Sequence, residues 1–242
     1  MRVLVFSDIH ANLCALESVL SDAGPYDAAW CLGDLTGYGP NPNECVSLVR
    51  SLPGLTCLVG NHDKAVLDEI DLHVFNGDAR AAIEWTQRII KPEALKYLAA
   101  LPAEVQIGEF SLVHGSPRQP VWEYILDRYI ADENFPLIST PYCLVGHTHQ
   151  PVVFHQLHGG EVREEEANYL TPRRLARERL IINPGSVGQP RDNNPEAAYA
   201  LLDTEREVWE YHRVPYDVAE TQKRIRAARL PDRLAARLAY GW

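Results

Sequence analysis

The sequence has no excess of positive charge, no paired-cysteine spacing and no long apolar run, and each absence removes a class of function. Lysine and arginine total 23 against 33 aspartate and glutamate, a formal charge of −10 over 242 residues. That balance offers no broad basic face to a nucleic-acid polymer or an anionic membrane, while a local pocket for a phosphate stays compatible with it. The five cysteines, Cys14, Cys31, Cys45, Cys57 and Cys143, form no C-x-x-C pair and sit mostly among apolar neighbours. They read as small core residues in a reducing compartment. No basic segment followed by an apolar stretch opens the chain, and no apolar run nears the roughly 20 residues that a membrane span needs. A cytoplasmic protein without a membrane partner is expected.

What is present is an ordinary globular composition, 46% hydrophobic and 23% charged, in a chain long enough for one sizeable core. Residues 3–6 are a short apolar run ending in Ser7-Asp8. Residues 12–23 place Leu13, Leu16, Val19 and Leu20 at helical spacing, and Gly24-Pro25 stops them. Residues 28–32 and 56–59 repeat the strand pattern. Between them a turn-rich loop at 37–43 sets Pro42 to open a helix reaching about Arg50. Strand alternating with helix implies parallel pairing and right-handed crossovers. Helical spacing returns at 77–90 and 92–101, broken at Lys91-Pro92. A hairpin is expected over 105–113, with strands at 142–145, 152–155, 180–182, 198–202 and 208–213 whose short connections add an antiparallel component. Residues 161–179, with Glu164-Glu165-Glu166 and Arg173-Arg174, read as a solvated loop or edge, and the last ~25 residues as an amphipathic helix. No repeat or linker divides the chain, so one domain over 1–242 is expected.

The informative residues stand at the ends of the strands. Asp8, His10, Asp34, Asn61, His62, His114, His147 and His149 all fall within a few residues of a strand's carboxyl end, the edge where parallel α/β architecture binds ligands. A lone histidine there is ordinarily a hydrogen-bonded structural residue, and His73, His155, His158 and His212 are read that way. Five histidines with two carboxylates are different. Burying them together without a cation would cost several kcal/mol in desolvation and repulsion. Carboxylate, imidazole and amide oxygen suit divalent Mn, Fe, Co, Ni or Zn, and the absence of thiolates argues against a structural cysteine zinc site.

In this order, Asp8-Ile9-His10, Gly33-Asp34, Gly60-Asn61-His62-Asp63, His114-Gly115 and Gly146-His147-Thr148-His149 resemble the five signature blocks of the calcineurin-like metallophosphoesterases, with the spacing of their small bacterial and archaeal phosphodiesterase branch. The resemblance spans about residues 1–190, leaving C-terminal strands and a helix at 197–242. It implies a four-layer α/β/β/α sandwich with two mixed β-sheets and a site for two divalent metal ions, Mn foremost. Asp8, His10 and His149 would hold one metal and Asn61, His114 and His147 the other, with Asp34 bridging. A hydroxide between the metals would attack a small phosphodiester in line, and His62 would protonate the leaving alkoxide. Asp63 would orient His62 or start the following helix.

Two further stretches bear on substrate. Asn183, Gly185 and Ser186 lie in a glycine-rich turn that also resembles the phosphodiesterase branch, with Arg191 just beyond, and Arg118 follows the His114 block. These are expected to offer phosphate contacts, with turn geometry the competing reading for the first group. The stretch after Asp34 has no arginine before Arg50, unlike the protein phosphatase branch, which favours a diester over a dianionic monoester. Two alternatives accompany this reading: a phosphomonoesterase or nucleotide pyrophosphatase on the same site, and a metal-binding protein-interaction scaffold.

Overall fold

Side-chain alternation along the first strand sets the layering. In β1 (Arg2–Phe6), Val3 and Val5 face one core and Leu4 and Phe6 another, as a strand buried on both faces requires. The computed structural model describes residues 1–176 and 178–242. After β1 come α1 (Leu13–Asp22), β2 (Ala28–Cys31), α2 (Pro42–Arg50), β3 (Thr56–Cys57) and α3 (Asn61–Val66). Then follow α4 (Gly77–Ile89), α5 (Pro92–Leu98), β4 (Glu104–Ile107), β5 (Phe110–Val113), α6 (Arg128–Asn134) and β6 (Tyr142–Leu144). The chain closes with β7 (Val152–Gln156), β8 (Val162–Glu166), β9 (Arg173–Arg174), β10 (Arg179–Asn183), β11 (Ala197–Asp203), β12 (Val208–Val214), α7 (Val218–Ala227) and α8 (Asp232–Ala236).

The strands form two mixed sheets in the orders β3-β2-β1-β11-β12-β9 and β4-β5-β6-β10-β7-β8. Val3, Val5, Trp30 and Leu32 of the first pack against Phe110, Leu112, Leu144 and Ile182 of the second. Behind the first sheet Leu4 and Phe6 meet Leu16, Val19 and Val46 of α1 and α2, and behind the second Cys143 and Ile181 meet Ala131 of α6. Helix, sheet, sheet, helix is the expected four-layer sandwich. Each fully buried Leu or Phe in these layers contributes roughly 1.5–3 kcal/mol. No helix among the described residues is long and apolar enough to cross a membrane.

The stretch read as a solvated loop or edge takes the edge form: β8 pairs with β7 and β9 with β12, each at the outer end of its sheet, and the glutamates of β8 suit a solvated edge that resists further pairing. One expectation changes. The C-terminal helix is two helices, since Arg229 takes a left-handed φ of 56° and Pro231 stands ahead of α8.

Candidate metal centre

Six strands run parallel within their sheets, β1, β2 and β3 in one and β5, β6 and β10 in the other. The loops at their carboxyl ends converge. Asp8 donates its amide to Gly33 O at 3.1 Å and His10 to Asp34 O at 3.0 Å, so the first two loops are stitched edge to edge. Asp8, His10, Asp34, His147 and His149 all have left-handed backbones, with φ between 47° and 65°. For non-glycine residues this costs on the order of 1 kcal/mol each, a concentration of strain typical of functional sites.

Each carboxylate has one oxygen occupied and one bare. Asp8 Oδ2 accepts from the His147 amide at 3.1 Å and Asp34 Oδ1 from the His62 amide at 2.9 Å. Asp8 Oδ1 and Asp34 Oδ2 are buried without a hydrogen-bond partner. The bare oxygens face imidazoles: Asp8 Oδ1 is 3.3 Å from His149 Nε2 and 3.7 Å from His10 Nε2, and Asp34 Oδ2 is 3.4 Å from His114 Nε2 and 3.6 Å from His10 Nε2. Asp34 thereby touches both halves of the cluster, whose ligand atoms group as Asp8-His10-His149, His10-Asp34-His62 and Asp34-His114-His147. Asn61 Oδ1 joins at 3.2 Å from His114 Nε2.

Backbone carbonyls set the tautomers, because a carbonyl only accepts. His10 Nδ1 donates to Thr36 O, His149 Nδ1 to Gln189 O and His114 Nδ1 to Leu32 O, while His147 uses Nε2 on Trp122 O at 3.1 Å. The remaining nitrogens point inward. Burial pushes His10 and His149 below the usual histidine range, His147 to about 3 and His62 to about 4. His114 goes the other way, to about 9: burial opposes its charge, but Asp34 beside it outweighs burial. For Asp8, burial raises the pKa, yet His149 and His114 hold the carboxyl below its usual range. A ring of inward lone pairs and bare carboxylate oxygens is the donor set of a divalent cation site, and the residues present fit one.

His62 sits on this ring with its imidazole packed by Tyr38, His10 and Phe75 at centroid distances of 4.4, 4.8 and 5.1 Å, its Nδ1 buried and unpartnered. Gly37 makes this possible. It has φ +88°, and a Cβ there would come within 2.4 Å of His62 Nδ1.

Of the two expectations for Asp63, the structure favours the helix start. As the third residue of α3 its carboxylate accepts from the amide of the N-cap Gly60, and it also accepts from Leu35 N, Thr36 N and Thr36 Oγ1. The Gly60 bond caps its own helix, the other three tie that helix to the second loop, and none reaches His62. Burial, helped by Asp34, lifts it to about 6.

The remaining candidates divide. Asn183 donates to Gly146 O and Thr148 Oγ1 and accepts from Gly185 N, and Ser186 Oγ donates to Asp8 O and accepts from Gln189 N. Both hold the ligand loops in place, with their polar atoms committed to that task. Arg118 is occupied by Glu123 and Glu133 and braces its own loop against α6. Arg191 alone remains beside the cluster, donating to Tyr38 Oη at 3.3 Å and Gln189 Oε1 at 2.8 Å, with its Nε buried and unpartnered. The reading by sequence passed over the aromatic rim. Tyr124 stacks on His147 at 3.6 Å, and Trp122 meets Phe75 at 5.6 Å. Tyr38 had one available signal, an aromatic between two glycines that make room beside His10 and His62; Trp122 and Tyr124 lie in a loop without periodicity.

The chain is similar to known proteins over most or all of its length. A metallophosphoesterase from Sphaerobacter thermophilus is 46% identical with a TM-score of 0.92, over 100% of this chain and 99% of that one. A hypothetical protein from Pyrococcus horikoshii shares the fold at 21% identity and a TM-score of 0.82, over 100% and 98%. An uncharacterized protein of Methanocaldococcus jannaschii is 39% identical over 99% of this chain and 98% of its own length, and the phosphodiesterase YfcE of Escherichia coli is 26% identical over 85% and 89%. Residues 1–207 match the calcineurin-like phosphoesterase superfamily domain, and the chain belongs to that superfamily.

Proposed function

We propose that the protein is a two-metal phosphodiesterase acting on a small diester. The observation that carries this is the pair of bare buried oxygens, Asp8 Oδ1 and Asp34 Oδ2, set among inward-facing histidine nitrogens. Asp8, His10 and His149 would hold one ion, Asn61, His114 and His147 the other, and Asp34 both. Divalent ions bound there, Mn or another of Fe, Co, Ni and Zn, neutralise phosphoryl oxygens and make a water acidic enough to be a nucleophile near neutral pH.

The chain's own residues supply the rest. His62 is held on the rim by Tyr38 and Phe75 and is free of competing protein partners at Nδ1, which suits it to give a proton to the leaving alkoxide. Burial leaves it neutral in the free protein, and an anionic ester alongside raises its proton affinity. Asp63, Asn183 and Ser186 act through the loops they tie. Arg191, the guanidinium left without a carboxylate beside the cluster, meets the ester's charge. A single such cation matches a diester monoanion, and the name of the E. coli relative points the same way. The five free thiols, four of them buried, support a cytoplasmic location.

The test is the initial rate of metal-stripped protein, with Mn²⁺ restored, on bis-p-nitrophenyl phosphate beside p-nitrophenyl phosphate. A diester rate well above the monoester rate is expected. A monoester preference would replace the reading by a phosphomonoesterase, and no turnover with any of the five metals would leave a metal-binding scaffold.

A further inference from the structure

Tyr38 separates two environments. Its ring meets His62 and His10 at 4.4 and 4.7 Å on the metal side. On the other side it joins a buried cluster with Ala79 and Ala82 of α4, Ile225 of α7 and Leu234 and Ala235 of α8. Beyond that cluster a cleft of about 640 Å³ opens between the start of α4 and the C-terminal segment, lined by Asn76, Asp78, Arg233, Arg237, Tyr240 and Trp242. Phe75, whose ring lies 5.1 Å from His62, packs on the same cluster, and Arg237 of the lining feels the charges of Arg191 and Tyr38, so a single apolar cluster lies between the cleft and the metal centre.

Its chemistry is out of keeping with a chain of charge −10. Among the described residues, no aspartate or glutamate comes within ion-pair distance of Arg191, Arg233 or Arg237. Arg191 reaches the side chains of Tyr38, Gln189 and Tyr124, and Arg237 Nε donates to the Trp242 backbone oxygen. Burial and then the nearby Arg191 charge push Arg237 down to about 10, with Tyr38 and Asp78 only partly opposing them. Asp78 is the one acidic residue in the lining. The first turn of the 13-residue α4 adds the positive end of a helix. Tyr240 and Trp242, 56% and 59% exposed, stack on each other at 4.8 Å at the cleft's rim. Guanidiniums in this density recognise phosphate, and exposed stacked rings recognise a planar base.

We propose that this cleft is a second substrate subsite, taking the part of a nucleotide-type phosphodiester that carries an aromatic base and an additional phosphate. The inference rests on the phosphodiesterase reading for the scissile bond, while binding in the cleft is measurable without turnover. Arg191 lies between the two sites, facing the reacting phosphate through Tyr38 and the extra phosphate through Arg237.

The test is calorimetric titration of the full chain, loaded with Mn²⁺, with thymidine 3′,5′-bisphosphate and with thymidine 3′-monophosphate. The bisphosphate should bind at least about tenfold more tightly, and R233Q/R237Q should reduce that preference to below about threefold, with R237K recovering part of it. Y240A/W242A should weaken both nucleotides alike. Equal affinity for the two ligands in the unaltered protein, or a preference that survives R233Q/R237Q, would overturn the subsite. Arg233 is exposed, so R233Q alone provides the measurement if the double variant does not fold. A bisphosphate preference in a protein that hydrolyses no diester would remove the phosphodiesterase reading and leave the subsite standing.

Discussion

His10 Nε2 and His149 Nε2 face each other at 3.0 Å, and both rings have already given their Nδ1 protons to backbone carbonyls. Two buried lone pairs so close repel unless a cation lies between them and the bare Asp8 oxygen. This relationship makes metal occupancy the first variable in every experiment on the protein.

Asp34 is the residue shared by both halves of the cluster. D34N should lower bound metal from two ions per chain to one or none, by elemental analysis, and cut diester turnover at least roughly 100-fold, the upper range for losing a group that only orients a ligand. Retention of two ions would refute the bridging role.

His62 lies on the ring with an unpartnered nitrogen. H62N should keep both metals and lower the turnover of a diester with an alkyl leaving group by roughly 10²–10⁴-fold, while p-nitrophenyl esters lose far less because their leaving group needs no proton. Equal losses on the two substrates would remove the acid role.

His114, raised to about 9 by Asp34, is an imidazolium near pH 7.5 in the metal-free protein. A ligand nitrogen cannot keep its proton, so loading metal should release at least about one proton per chain at that pH, with any further proton coming from a metal-bound water. Titration calorimetry in buffers of different ionisation enthalpy counts it. A count of zero would contradict the placement of His114 on the metal.

The metal-free protein should be acid-labile. His62 and His147 are depressed to about 4 and about 3, and His10 and His149 are also lowered. Below pH 6.5 the unfolded chain therefore binds protons at these groups that the folded chain refuses, and stability falls with pH by roughly 1.4 kcal/mol per unit for each. Asp63, raised to about 6, offsets part of this between pH 6 and 4. His114 has the opposite sign, its contribution being complete below pH 6.5 and lost as pH rises through 9. A melting temperature highest near neutrality and falling by pH 5 is expected, and a flat profile over that range would refute the histidine assignment.

Much of the site was legible before the fold was known. Asp8, His10, Asp34, Asn61, His114, His147 and His149 each follow an apolar strand, and parallel strands bring their carboxyl ends to one edge by geometry alone. For Asp63 the sequence left two readings open, and the fold decided for the helix start over contact with His62. One helical step turns neighbouring side chains about 100° apart, and the carboxylate points back to Leu35, Thr36 and Gly60. Arg118 was misjudged because its partners Glu123 and Glu133 sit in an aperiodic loop and on a short helix.

By itself the sequence determined the alternation of strands and helices, through the spacing of its apolar residues, and the ligand chemistry, through the residue types that end each strand; the layer order came from the family resemblance. Tertiary structure decided which oxygens of Asp8 and Asp34 stay bare, which histidine nitrogens face inward, and that Arg191 meets Tyr38 across 153 residues of chain. The physical reason is range. Periodicity and strand-end chemistry are local and are written in consecutive residues, whereas a lone pair's direction and a cation's lack of a partner depend on what packs against them from elsewhere in the fold.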